Sequence, residues 1–388
     1  MSKSITHRFL ILSLAVLSSS IFSVQAQDVL IPDPKLRAAV LVELGKSDGD
    51  DITIADLTGL KRIVAPSAGI RSYEGMQHSI NLEHIDLSGN DLVSIFFPEE
   101  MLALRTLNLS GNGDENGYRG LTSVALPNAM PLLEVLDLSY NRLQAIHFPE
   151  PLPNLKVIHF SNNPLGLILW PEQLPALEEL RLASISMSFL DLPAGLDRLR
   201  TLDISGAVLE DYSVLNSLNQ ITNLSIGPFG ATFPATTPEP VINRLSQLES
   251  LRLNGVDLES FFDQAAVEAL SAGLKELVIS TSGKVHLPDQ LKHLTRLTVV
   301  PLYPWADYTI TITIPATYLS LEEVRLEGNV RLSEDTFPAK LPNLRSVFVT
   351  PSEFGLALPD SLPELEELDF AWRGSVVPEV DFPTRCPV

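Results

Sequence analysis

Three side chains near the middle of the chain have the types needed for hydrolysis. Asp137 and His159 stand 22 residues apart, and Ser161 lies two residues beyond His159. Acid, imidazole and hydroxyl are the parts of a nucleophilic triad. A triad also needs a strained turn at the nucleophile and a pocket that excludes water. Neither pattern surrounds Ser161, so hydrolysis is the weakest of three functional classes. Metal chemistry is no better served. His84 and His159 fall three strands apart in the scheme below, roughly 14 Å, too far to share one ion. The segment Asn112-Gly113-Asp114-Glu115-Asn116-Gly117 opens like a calcium loop, but its twelfth position is Ser123, where a bidentate glutamate belongs. It reads as an insertion loop. The chain has no glycine loop able to cradle a phosphate, and no cofactor is expected.

The 22-residue spacing is itself the main signal. Residues following L-x-x-L-x-L-x-x-N-x-L recur in fourteen copies. They begin at Leu60, Leu82, Leu104, Leu133, Leu155, Leu177, Leu199, Ile221, Leu248, Leu274, Leu294, Leu321, Leu344 and Leu365. In such a unit the fourth and sixth residues point to one face of a short strand. A single unit cannot bury that face, so neighbours must stack into one core. The expected fold is an α/β solenoid. It is a leucine-rich-repeat horseshoe with a parallel concave sheet, a mostly non-helical convex side and a short helical N-terminal cap.

The ninth position carries Asn90, Asn112, Asn141 and Asn163, whose amides should turn inward to satisfy loop backbone. It then becomes Ile185, Ala207, Phe229 and Val256, so the solenoid is expected to be irregular after Ile221. Apolar-proline pairs such as Phe97-Pro98, Leu126-Pro127 and Leu192-Pro193 mark the returns, which should be extended or short 3₁₀ turns. Phe261 to Ala272 is spaced as a convex helix, Gly227 to Pro240 as a loop, and Tyr308 to Ile314 alternates as an extra strand.

On the concave face, second-position residues alternate in sign from Glu83 and Arg105 onward, which suits a surface ladder that fixes register. The seventh position is a serine ladder of Ser88, Ser110, Ser139, Ser161 and Ser205, read as structural. At the fifth position stacking does not dictate identity. Asp137, His159, Arg181 and Asp203 converge there, flanked by Glu179 and Thr201. These six form the candidate binding patch. The leading function is a non-catalytic module holding a protein or glycan. The alternative is a structural envelope component whose surface is only a solubilising coat.

The ends place this module outside the cytoplasm. Residues 1–26 read as a signal peptide, with Lys3, His7 and Arg8 before an apolar run that closes on Val24-Gln25-Ala26. Cleavage leaves 25 basic against 48 acidic residues, a net charge of −23. That charge excludes nucleic acid as a partner, and with no later apolar span it argues against membrane insertion. Cys386 is the single cysteine, so no internal disulfide is possible. The secreted chain is expected to act as a monomer, extracellular or periplasmic. Its parts would be a cap over 27–59, repeats over 60–378 and a tail over 379–388.

The cap carries a resemblance. Pro32-Asp33-Pro34 opens an amphipathic helix from Leu36 to Leu44, closed by Gly45. A second helix begins near Thr53. Ile-Thr-Ile-Ala-Asp-Leu at 52–57 and Ala68-Gly69-Ile70-Arg71-Ser72 then lead into 22-residue repeats. This region, about 28–226, resembles bacterial extracellular leucine-rich-repeat proteins of the internalin-like kind, and the resemblance implies binding to other macromolecules. The sequence departs from that family in lacking a recognisable Ig-like domain and a wall-sorting tail, so host-cell adhesion and surface anchoring do not follow.

Overall fold

In a computed structural model the described residues are 27–112, 120–148, 151–207, 209–227, 245–303, 309–333, 335–353, 358–359 and 361–370. The expected signal peptide, residues 113–119 of the expected insertion loop, most of the expected loop after Gly227 and the expected tail with Cys386 lie outside them.

The cap forms as its sequence dictates. Helix α1 spans Pro34–Leu44, with Pro34 at its start and Gly45 at φ 66° as its left-handed stop. The Asp33 carboxylate caps it, accepting from the backbone N–H of Lys35 and Leu36. Its other oxygen accepts from Arg71 and Ser72 at 2.7 and 3.1 Å, so one side chain ties the cap to the first return. Helix α2, Ile54–Gly59, starts on a reciprocal capping box between Thr53 and Asp56. Leu36, Val40, Leu41 and Leu57 close the end of the core against water.

Each of the fourteen copies places a strand start at its third residue, from Arg62–Val64 through Val135–Asp137 to Glu367–Phe370. All pair in parallel without a slip at the fourth position, which reads Ile63, Ile85, Leu107, Leu136, Ile158, Leu180, Leu202, Leu224, Leu251 and onward to Leu368. The first nine of these are 0–2% exposed. Alternation therefore leaves the third and fifth residues on the concave surface.

The asparagine ladder works as expected. Asn141 donates to the carbonyls of Leu109, Leu138 and Ser139 and accepts from Leu121 N–H. Asn90, Asn112 and Asn163 repeat the arrangement. A second ladder, at the eighth position, is not visible in the leucine pattern. Ser67, Gly89, Gly111, Tyr140, Asn162, Ser184, Gly206 and Gly255 all have φ between 54° and 78°. There the chain leaves the strand, and each N–H from Ser67 to Gly206 donates to the seventh-position carbonyl of the next copy. The first seven strands are three residues long. From Asn223 onward the strands that open each copy lengthen to between four and nine residues.

The convex side is extended, with parallel pairs Ser94–Phe96 with Ser123–Ala125 and Ala145–His147 with Leu167–Leu169, and one 3₁₀ turn at Ser213–Ser217. The extra strand is Ile310–Thr313. The expected helix from Phe261 to Ala272 is instead two helices, α3 (Leu258–Phe261) and α4 (Gln264–Leu270). Asp263 is the reason: its side chain accepts from Ala266 N–H and so starts a new helix.

Asn141→Ala should lower stability by about 2–4 kcal/mol, because four buried backbone groups lose their partner at once. A urea midpoint unchanged from the parent chain would contradict this role.

Candidate functional site

Strands Val135–Asp137, Val157–His159 and Glu179–Arg181 lie side by side, so Asp137, His159 and Arg181 are neighbours in register. His159 lies at the centre of the cluster. Its Nδ1 is 3.6 Å from Asp137 Oδ2, and its Nε2 is 2.7 Å from Glu179 Oε1. The same Glu179 oxygen accepts from Arg181 Nε at 2.6 Å. Four of the six predicted residues thus form one chain of charges across three strands. His159, Asp137 and Glu179 are about three-quarters buried, whereas half of the Arg181 side chain is exposed.

The remaining two are placed differently. Asp203 is the register partner of Arg181, but its carboxylate turns to Ser205, accepting from both N–H and Oγ at 3.0 and 2.6 Å. Thr201 faces Glu179 in register and joins the wall of a neighbouring groove. The turn made by Asp203 is general: Asp86 with Ser88, Asn108 with Ser110 and Asp137 with Ser139 do the same. The serine ladder is structural, and it engages the fifth-position acids. Where the fifth residue is histidine, Ser161 Oγ instead accepts from Ala183 N–H. His159 Nε2 is held by Glu179, so acid, imidazole and Ser161 do not assemble a triad.

The sign alternation at the second position gives ion pairs where long side chains meet. Glu134 bridges Arg105 and Lys156 at 2.9 and 2.7 Å, and Lys61–Glu83, Lys275–Glu249 and Arg345–Glu366 follow the same logic.

Beyond the charge cluster a groove of about 480 Å³ opens along the concave surface. Arg181, Thr201, Asp203, Ser225 and Arg252 line it, with Tyr140 among its lining residues and 61% exposed. The six-residue patch read from the sequence leaves out Ser225 and Arg252 at fifth positions and Asn223, Ser250 and Glu276 at third positions. It also misses Tyr140, on the left-handed turn.

The charges shape the titration. The Asp137 carboxylate first, and Glu179 with it, raise the His159 pKa above 6.5 against the opposing effect of burial. Burial works against the Asp137 charge, but the neighbouring His159 imidazole and the hydrogen bonds from Ser139 outweigh it and hold the carboxyl below 3.8. Glu179 is likewise held below 4.5 by His159 and Arg181, again against burial. Lowered carboxyls contribute stability that is complete above their ordinary values and lost as pH falls through the lowered ones. A raised imidazole contributes stability that is complete below 6.5 and lost as pH rises through the raised value. The cluster is therefore most stabilising between about pH 4.5 and 6.5. An NMR titration should place His159 above 6.5, and Asp137→Asn should move it down. A His159 value at or below 6.5 in the parent chain would remove the cluster's basis.

The fold and the local sequence agree with known proteins. The Leucine Rich Repeat family model matches residues 81–101. Internalin H of Listeria monocytogenes is 36% identical over 78 residues, 20% of this chain, and the chain covers 14% of that relative's length. Among solved structures, an internalin (inlF) of Listeria monocytogenes superposes with a TM-score of 0.59 at 18% identity, covering 91% of this chain and 100% of that one. A leucine-rich-repeat protein of Leptospira interrogans superposes at 0.50 with 22% identity, over 79% of this chain and 75% of that one. At those identities the structures speak for the fold alone. No helix among the described residues is long and apolar enough to cross a membrane. The chain thus folds as a leucine-rich-repeat solenoid, and over part of its repeats it is similar in sequence to an internalin.

Proposed function

We propose that the chain is a non-catalytic module that holds a macromolecular partner, a protein or glycan, against its concave sheet outside the cytoplasm. The observation that carries this reading is the groove beside the charge cluster. Its third- and fifth-position walls face solvent on a rigid sheet, so packing leaves their identity free. Solenoid curvature creates extended concave surfaces of the kind used for binding. Residues 1–26 would direct export, 27–59 would cap, 60–378 would bind and 379–388 would trail. The secreted protein would act as a monomer.

A structural envelope component is the rival, and one fact favours it: Asp137 and Asp203 each serve a strand-end serine. The two readings separate on Thr201→Phe, which fills the groove with an uncharged ring and offers Glu179 no new cation. Envelope and extracellular fractions passed over immobilised 27–388 should yield a partner whose retention drops at least tenfold with Thr201→Phe, at unchanged thermal stability. Retention equal to the parent would favour the coat.

A further inference from the structure

The groove is lined by four charged side chains, with Glu179 beside it, and their engagements differ. Asp203 is satisfied by Ser205. Glu276 is satisfied by Ser250 Oγ at 2.9 Å and by Arg296 at 3.2 Å. Glu179, at the groove's edge, is shared by His159 and Arg181. Every acid is thus engaged within the fold. The cations are not. Arg181 uses Nε alone for Glu179, which leaves its terminal nitrogens toward the groove it lines. Arg252 is exposed and has no hydrogen bond and no ion pair within 4 Å among the described residues, although Glu276 feels its field. The uncommitted charge of this groove is positive, on a chain whose net charge is −21.

The spacing of the two guanidinium groups is set by the sheet. Arg181 pairs with Asp203, Asp203 with Ser225, and Ser225 with Arg252. That is three strand steps, about 14 Å. An extended peptide advances about 3.4 Å per residue, so side chains four apart are separated by nearly the same length, about 13–14 Å.

Tyr140 adds a second observation. Its turn position has φ 56°, where other copies carry glycine, serine or asparagine. A bulky residue is disfavoured there because its Cβ crowds the following carbonyl oxygen. Its ring is mostly exposed, so no burial offsets that cost. Strain kept on an exposed aromatic at the edge of a groove is the mark of a contact residue.

We propose that the groove receives an extended acidic segment of a partner protein, with carboxylates four residues apart on Arg181 and Arg252 and an apolar side chain against Tyr140. This rests on the binding reading above and gives it a chemistry. Guanidinium groups take carboxylates by paired hydrogen bonds, whereas general attraction is opposed by the chain's own negative field.

The test uses blocked synthetic peptides and the full mature chain, read by fluorescence anisotropy at low and physiological salt. A peptide with two glutamates four apart should bind at least tenfold tighter than its glutamine counterpart and tighter than one with glutamates two apart. Arg252→Glu should abolish that preference. Tyr140→Gly relieves the turn, so it should keep or raise thermal stability while weakening binding. Equal binding of the glutamate and glutamine peptides, or an unchanged Arg252→Glu variant, overturns the proposal. So does tighter binding of an oligogalacturonate, which would assign the groove to acidic glycans. If a captured partner depends on Thr201→Phe but not on Arg252→Glu, the concave face still binds and only the carboxylate assignment fails. If neither matters, the binding reading fails as well.

Discussion

The inward-turned amide at the ninth repeat position is the interaction on which the N-terminal half of the solenoid depends. Stacked leucines supply most of the burial energy, but they are non-directional and would tolerate strands of many lengths. The amide is directional. In Asn90, Asn112, Asn141 and Asn163 it takes up carbonyls of its own copy and of the previous one, and it gives an acceptor to the return. The backbone therefore has side-chain partners just past the strand, in competition with continued sheet pairing. The fifth-position acid and the seventh-position serine reinforce the same stop from the concave side. Loss of the amide alone does not lengthen the strand: Glu179–Arg181 and Thr201–Asp203, followed by Ile185 and Ala207 at the ninth position, still stop at three residues, and the nine-residue strand Glu323–Arg331 includes the ninth-position Asn329.

That stop also decides where chemistry can be placed. A strand cut at three residues leaves two concave side chains per copy and a left-handed turn at the edge. The two concave positions are not equivalent. Fifth-position acids are drawn into capping their own turn, so a carboxylate there is partly spent before any partner arrives. An arginine has no lone pair to offer the serine and so is not drawn into that turn. His159 turns to Asp137 and Glu179 because they flank it on both sides, and Arg181 turns to Glu179 two residues back along its own strand.

Much of this was legible in the sequence because period 22 leaves little freedom. Strand starts, register at the fourth position and the inward amides follow from leucine and asparagine spacing alone. The coupling of Asp137 to Ser139 and of Asp203 to Ser205 was also written there, as D-x-S and N-x-S recurring at fixed phase, but reading positions one column at a time hides a bond between columns. The choice of Arg181 between Asp203 and Glu179 was not legible. Both acceptors are within reach, and torsions rather than spacing decide. The groove was hidden for a similar reason. Its walls combine third, fifth and eighth positions from several strands, with Tyr140 and Glu276 four strand steps either side of Ser225 or nearer. The break in the convex helix turned on one capping side chain, Asp263, set inside an otherwise helical pattern.

Electrostatics gives the concave face a direction. The chain as a whole repels anions, and screening confines that repulsion to about 8 Å at physiological salt. A partner carboxylate inside the groove lies within a screening length of Arg181 or Arg252 and of acids that are already engaged. An exposed anion elsewhere meets the net negative field. Binding of an acidic segment would thus be weak everywhere except where guanidinium groups are both near and uncommitted. The salt response separates the two contributions: added salt weakens the local guanidinium–carboxylate contact but also relieves the long-range repulsion. A specific acidic ligand should therefore lose affinity with salt less steeply than the same contact on a neutral protein.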